Sequence, residues 1–150
     1  MNGDMIIKLT CNKCNFSNFK FEKYMTLNLA IPNKTSFSSV SIERLVDDFF
    51  KPENLEDFVC KKCNVPRRHS MTRYIWNPSN IIFLHFKRFE FKAMTKELSK
   101  INTKIAFRTD QLSFADYLFK KKGPVDLRYR LVGFVNHYGM ISSGHYIAYF

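Results

Sequence analysis

Glycine and proline are scarce, at five positions each in a chain of 150 residues, which excludes collagen-like, mucin-like and low-complexity disordered classes. No apolar run approaches the roughly 20 residues needed to cross a bilayer, so no membrane insertion is expected. The opening stretch MNGDMIIKLT has no basic segment followed by a long apolar one, so secretion is not expected either and the chain reads as intracellular, in cytoplasm or nucleus. Acidic residues are few, with thirteen Asp and Glu against twenty-four Lys and Arg and a formal charge of +11. What is abundant is apolar and aromatic: 45% of residues are apolar, and sixteen are Phe and seven Tyr. One domain of ordinary size, or a piece of a larger one, can bury a core from that supply.

All four cysteines fall in two matching pairs, Cys11-Asn12-Lys13-Cys14 and Cys60-Lys61-Lys62-Cys63. Two thiolates three positions apart on a tight knuckle can face one tetrahedral ion with zinc to sulfur near ~2.3 Å, and two knuckles complete its four ligands. A site closed by four sulfurs is structural, because no coordination position stays open for water or substrate. Lys13, Lys61 and Lys62 offset the negative charge of such a site and favour the thiolate form. Disulfides or free thiols are the alternative; without a secretory signal or an odd cysteine, structural Zn2+ on Cys11, Cys14, Cys60 and Cys63 is the stronger reading. The ion would pin the tips of a long hairpin-like excursion.

Near-period-two spacing of Phe19, Phe21, Tyr24, Leu27, Leu29 and Ile31 predicts one or two strands ending at Pro32. Asn33 to Ser39 reads as a polar turn. Ile42, Leu45, Val46, Phe49 and Phe50 follow helical spacing, with Ser41 as N-cap, Val40 placed to staple onto Leu45, and Pro52 as the stop. Val65 to Ile75 predicts a strand with basic faces at Arg67, Arg68 and Arg73. Ile81 to Phe86 predicts a central strand covered on both faces, Lys92 to Lys104 a loop, Ile105 to Phe107 a short strand, and Leu112 to Phe119 a short helix or turn. Lys120 to Pro124 reads as an exposed basic linker. Tyr129 to Asn136 predicts a strand, His137 to Gly144 a loop, and His145 to Phe150 another strand. On these readings His85 is a hydrogen-bonded core histidine and His69 an exposed one.

Two C-x-x-C knuckles flanking a helix, Asn77-Pro78 leading into IIFLHFKRF, then Tyr129-Arg130-Leu131, and finally Asn136-His137-Tyr138-Gly139 with Ser143-Gly144-His145-Tyr146-Ile147-Ala148-Tyr149, together resemble the ubiquitin-specific proteases. The resemblance implies an α+β, papain-like cysteine peptidase fold, partial here: β-rich fingers over about residues 5–76, carrying the zinc and one helix, and a palm over 77–150 with the histidine box, the thumb missing. It implies hydrolysis of the isopeptide bond at the ubiquitin C-terminus, with ubiquitin and ubiquitinated proteins as partners. Cys11, Cys14, Cys60 and Cys63 match the family's zinc ligands, and His145 matches its catalytic histidine. An imidazole with an unperturbed pKa near about 6.5 can take the thiol proton and return it to the leaving amine. His137 and Gly144 match substrate-side positions, where a glycine lets a substrate tail approach the backbone closely.

The family's nucleophilic cysteine, in a box upstream of the fingers, has no counterpart before Cys11, and no Asp or Asn to orient the histidine follows His145. Without its nucleophile a histidine forms no thioester, so the 150 residues alone are expected to be inactive, a part of a deubiquitinase. A non-catalytic, zinc-dependent ubiquitin-binding module is the alternative. Nucleic-acid binding, suggested by the charge, is disfavoured because the basic residues are spread along the chain and not gathered on one periodic face. Oligomeric state is left open.

Overall fold

Short stretches of alternating apolar and polar side chains dominate the chain, and it folds mainly as strands. The computed structural model describes residues 2–32, 39–92, 96–120, 123 and 125–150. Positions 33–38 of the turn expected over 33–39, positions 93–95 of the expected loop, and Lys121, Lys122 and Pro124 of the basic linker lie outside the described residues. In chain order the elements are β1 (Gly3–Cys11), β2 (Ser17–Tyr24), β3 (Thr26–Ala30), β4 (Ser39–Ser41), helix α1 (Ile42–Phe50), β5 (Glu53–Val59), β6 (Pro66–Asn77), β7 (Phe83–Lys87), β8 (Phe89–Lys92), β9 (Glu97–Lys100), β10 (Lys104–Ala106), β11 (Leu112–Ser113), a 3-10 turn at Ala115–Tyr117, β12 (Arg128–Tyr129), β13 (Phe134–Gly139) and β14 (Gly144–Tyr149).

The first large unit is a four-stranded antiparallel sheet in the order β2-β1-β6-β5. It is two hairpins laid side by side, β1 with β2 and β5 with β6, joined along the β1–β6 pair from Asp4↔Asn77 to Cys11↔His69. Neither β1 nor β5 was anticipated from the sequence. Across the β5–β6 pair the charges interleave: Arg73 lies 2.7 Å from Glu53 and Arg68 2.8 Å from Glu56. The Arg73 guanidinium also donates to the Phe49 carbonyl at 3.3 Å and sits over the Phe49 ring.

Helix α1 begins as its sequence dictates. The Ser41 hydroxyl accepts from the Arg44 backbone N–H at 3.2 Å, satisfying one otherwise orphaned donor. Val40 packs against the core cluster that includes Leu45. Leu45, Val46 and Phe50 point inward to meet Met5, Tyr24, Leu27, Leu29, Ile75 and Phe114. The Phe50 ring stacks on Tyr117 at 4.3 Å, and the Tyr117 hydroxyl donates to Asp47. A bond from Phe119 N–H to the Ile75 carbonyl, 2.9 Å, fastens this later segment to β6.

Two expectations for residues 81–104 need correction, and the strand expected over Tyr129 to Asn136 is interrupted between β12 and β13. The run at Ile81 to Phe86 gives β7, which among the described residues pairs only with β3, in parallel. Leu84 and Phe86 turn toward the core, while Phe83, His85 and Lys87 are exposed. Strand alternation sends every second residue outward whatever its polarity, so an apolar run alone does not report burial on both faces. The segment Lys92 to Lys104 is not simply a loop. It holds β9, which pairs with β8 from Phe89↔Lys100 to Lys92↔Glu97, and the start of β10, which runs parallel to β4. Strands this exposed need few apolar residues, which hid them from a reading based on periodicity.

Because Leu45 is fully enclosed, Leu45→Ala is expected to lower unfolding stability by about 2–5 kcal/mol. Ser41→Ala removes one cap and is expected to cost about 0.5–2 kcal/mol. Urea unfolding followed by circular dichroism reads both, and a cap variant as damaging as the core variant would contradict this account of the helix.

Candidate functional site

Both knuckles are built alike from the backbone up. Asn15 N–H bonds the Cys11 carbonyl at 2.9 Å and Asn64 N–H the Cys60 carbonyl at 2.8 Å. The cysteine N–H groups bond back to Phe16 and Val65. Closing so tight a loop requires left-handed backbone at the residue after the second cysteine. Asn15 and Asn64 both adopt it, at φ 56°, and asparagine is among the few non-glycine residues that tolerate it. The repeated Asn after each C-x-x-C was the sequence signal for this, and the sequence reading passed over it.

One knuckle joins β1 to β2 and the other β5 to β6. The antiparallel β1–β6 pair places both at the same end of the sheet, and the four sulfurs of Cys11, Cys14, Cys60 and Cys63 lie within 4.8 Å of one another. The Cys14 and Cys60 sulfurs are 3.6 Å apart, close to the roughly 3.8 Å edge of a tetrahedron of sulfurs around zinc. Cys11 and Cys60 are buried. The Cys63 backbone N–H points at the Cys60 sulfur from 3.4 Å and, against the opposing effect of burial, holds that thiol down to about 6. At Cys11 burial pushes the thiol up, but the backbone donors of Cys14 and Lys13 outweigh it and the net direction is down. Cys63, hydrogen-bonded to Cys14 and then desolvated, is pushed up to about 12. Backbone donors aimed at sulfur suit thiolates, so the donor set, spacing and enclosure fit a metal ion.

The histidine box lies on β13 and β14, which pair without a break from Phe134↔Tyr149 to Gly139↔Gly144. The turn between them is closed by Met140 N–H donating to the Ser143 carbonyl at 2.9 Å. His137 therefore sits within a strand, where a loop had been expected. Residues directly opposite in an antiparallel ladder share a face and neighbours along a strand alternate. His137 thus shares one face with Tyr146, and His145 shares the other with Tyr138. The two histidines point away from each other, as do Tyr146 and Tyr149.

His145 is exposed. On its face the Tyr138 and Tyr149 hydroxyls are 3.1 Å apart, and the Phe134 ring stacks on Tyr149 at 4.7 Å. Hydrogen bonding from Tyr149 moves Tyr138 down from the usual phenol range and Tyr149 up. His137 is half-buried, edge-on to Phe89 and tilted against Tyr146. Its Nδ1 is 3.0 Å from Lys100 Nζ, a partner within the segment that the sequence predicts as a loop. A Cβ at Gly144 would come within 2.4 Å of both the His137 Nε2 and the Tyr138 carbonyl. Glycine is required there to make room for the imidazole.

The two remaining histidines differ from expectation. His85 is hydrogen-bonded, Nδ1 to Asn28 Oδ1 at 2.9 Å, but exposed and not in the core. It lies on the outward side of β7, opposite Asn28 of β3. His69 is 3% exposed where an exposed residue was expected. The sheet places it across from Cys11, its Nδ1–H donates to the Arg67 carbonyl at 2.9 Å, and its ring meets the edge of Phe58. A basic sequence neighbourhood did not foretell burial, because Arg67 and Arg68 extend from the strand into solvent while His69 turns in. It is not among the four clustered ligands.

A family model for ubiquitin carboxyl-terminal hydrolase matches residues 5–150. Ubiquitin carboxyl-terminal hydrolase 21 of Homo sapiens is 31% identical over 151 residues, covering 97% of this chain and 26% of that protein. A probable ubiquitin carboxyl-terminal hydrolase of Acanthamoeba polyphaga mimivirus is 26% identical over 141 residues, covering 91% of this chain and 29% of that protein. Among solved structures, the SAGA Ubp8/Sgf11/Sus1/Sgf73 DUB module bound to ubiquitin aldehyde matches with a TM-score of 0.84 at 28% identity, over 98% of this chain and 33% of that chain. The chain spans about a quarter to a third of the length of these relatives. The strand-rich architecture, with one α-helix among the described residues, is the α+β, papain-like fold that the motifs implied. By a match that runs from residue 5 to residue 150, this chain belongs to the ubiquitin carboxyl-terminal hydrolase family.

Proposed function

We propose that the chain is the fingers and palm of a thiol-dependent deubiquitinase, with fingers over about residues 5–76 and palm over 77–150, working inside the cell on ubiquitin and ubiquitinated proteins. His145, exposed on a regular hairpin with its ring free of the packing that holds His137, supports this reading most directly. As general base His145 takes the proton of an attacking thiol and returns it to the lysine amine that leaves when the isopeptide bond breaks. Gly144 and His137, on the other face, serve the extended ubiquitin tail. All four cysteines of the chain are gathered in the knuckle cluster, so it carries no thiol to make the thioester. Alone it binds ubiquitin without cleaving it.

Cys11, Cys14, Cys60 and Cys63 would hold a structural Zn2+. When bound, the ion would supply no catalytic chemistry; it would cross-link the tips of two hairpins that, among the described residues, also meet along β1 and β6 and through the Asn12 N–H bond to the Arg68 carbonyl at 3.0 Å. The deubiquitinase and the non-catalytic ubiquitin-binding module separate in the longer protein that contains this chain. There, His145→Ala is expected to lower hydrolysis of a ubiquitin C-terminal amide by about 10²–10⁴-fold with ubiquitin affinity retained. Undiminished hydrolysis in that variant would falsify the role of His145, and an unmutated full-length protein without hydrolysis would leave the binding module.

Metal analysis of the purified chain is expected to find one zinc per molecule, lost in Cys60→Ser together with the structure of both hairpin tips. Cys63, at about 12 without metal, is protonated throughout the neutral range, so zinc must displace its proton. Protons compete for the site as pH falls. Apparent zinc affinity should therefore rise with pH, by about tenfold or more per unit when one or more protons leave, and a pH-independent affinity between pH 6 and 8 would contradict the four-thiolate site.

A further inference from the structure

We propose that Lys100 is a positioning residue for the histidine hairpin, fixing the His137 imidazole as an Nε2–H donor for a backbone carbonyl of an extended peptide and tethering the end of β13 that leads into the turn before His145. Lys100 ends β9, opposite Phe89 of β8, and both side chains reach His137: Phe89 meets the ring edge-on, and the ammonium lies 3.0 Å from Nδ1. The same nitrogen is 3.3 Å from the His137 carbonyl and 2.8 Å from the Gly139 carbonyl. An ammonium has three N–H donors and no lone pair. All three are used here, and Nδ1 can only accept, which puts the ring proton of the neutral imidazole on Nε2.

That Nε2 lies where a Gly144 side chain would begin, 2.4 Å from the position of its Cβ. The ring is thus boxed by Lys100, Phe89, Tyr146 and the Gly144 backbone, and its remaining N–H is presented beside the residue that precedes His145. At Gly139, φ is +108°, so the carbonyl that Lys100 holds belongs to the residue whose glycine backbone lets β13 enter its turn. One lysine on a neighbouring hairpin therefore sets both the tautomer of His137 and the seating of β13, the strand with which the His145 strand pairs. The ligand class, an extended main chain, rests on the reading of this hairpin as the face that receives the ubiquitin tail; the tautomer does not.

The test uses the whole chain labelled with 15N-histidine, with ring nitrogens read by long-range 1H–15N correlation. His137 in the unmutated chain is expected to be a single Nε2–H tautomer with an acceptor Nδ1. Lys100→Met is expected to mix the tautomers and remove ring contacts to Phe89, Gly144→Ala to do the same by displacing the ring, and Lys100→Arg, still a pure donor, to restore the Nε2–H form. An Nδ1–H or mixed His137 in the unmutated chain overturns the proposal even if no variant folds, as does an Nε2–H form with intact Phe89 contacts in Lys100→Met. In ubiquitin titrations Lys100→Met and His137→Ala are each expected to weaken binding by roughly 5-fold, about one hydrogen bond's worth, and the double variant no further than His137→Ala. Additive losses overturn the claim that Lys100 acts through His137. Absence of ubiquitin binding in the unmutated chain, with the Nε2–H tautomer in place, overturns the peptide-carbonyl half and the tail-receiving face together while the positioning of His137 stands.

Discussion

The antiparallel pairing of β1 with β6 is the constraint from which the rest of this molecule follows. Cys11 and Cys60 are separated by most of the first half of the chain, and nothing local brings them together. Laying the end of β1 beside the start of β6, with Cys11 opposite His69, puts two loops that have identical backbone hydrogen bonding at one sheet end. Shifting that register by one residue would turn Met5 away from the core and part the knuckles at the same time. Hydrophobic burial and sulfur geometry therefore select the same pairing, the kind of agreement between levels that makes a fold specific.

A second constraint operates in the histidine hairpin. Strict alternation along β13 and β14 assigns its two histidines to opposite faces, which prevents them from sharing one proton or one substrate atom and gives each its own surroundings. His137 is half-buried by packing and held by a lysine; His145 is left in solvent beside a tyrosine pair. Glycine at 144 is the hinge of this division. A side chain there would occupy the space of the His137 ring, so the residue before the proposed base is decided by the needs of the face behind it.

Legibility in the sequence followed the kind of signal. Helix α1 was readable to its first residue because capping chemistry and apolar spacing are both local, and the C-x-x-C pairs announced their cluster because metal ligands must come in such spacings. The strand at Phe19 to Ile31 was visible for the same reason of period. β1, β5 and β9 were not, since their mixed burial follows from which neighbour each happens to pair with. His69 and His85 were each assigned the other's exposure: a strand face is chosen by partners far away in sequence, and flanking polarity does not encode it. Lys100 gave no signal at all, because its role exists only once two hairpins meet.

The cation surplus also looks different once the sheet is assembled. Arg68 and Arg73 face Glu56 and Glu53 across β5 and β6, so two members of the basic strand are locally neutralised. Lys13, Lys61 and Lys62 are exposed on the knuckles themselves. A divalent ion bound by four thiolates carries two negative charges, and placing three ammonium groups around it lowers the cost of keeping every sulfur ionised in a site whose innermost cysteines are buried. Surrounding positive charge would act in the same direction as the backbone N–H groups that lower Cys11 and Cys60 and against desolvation, which alone favours neutral thiols. The knuckle lysines are accordingly better placed to serve the four-cysteine cluster than an external anion, and a metal ion held there would tie the stability of the knuckle end to metal supply, while that of the core, built on Leu27, Leu29, Leu45 and Ile75, would not depend on it.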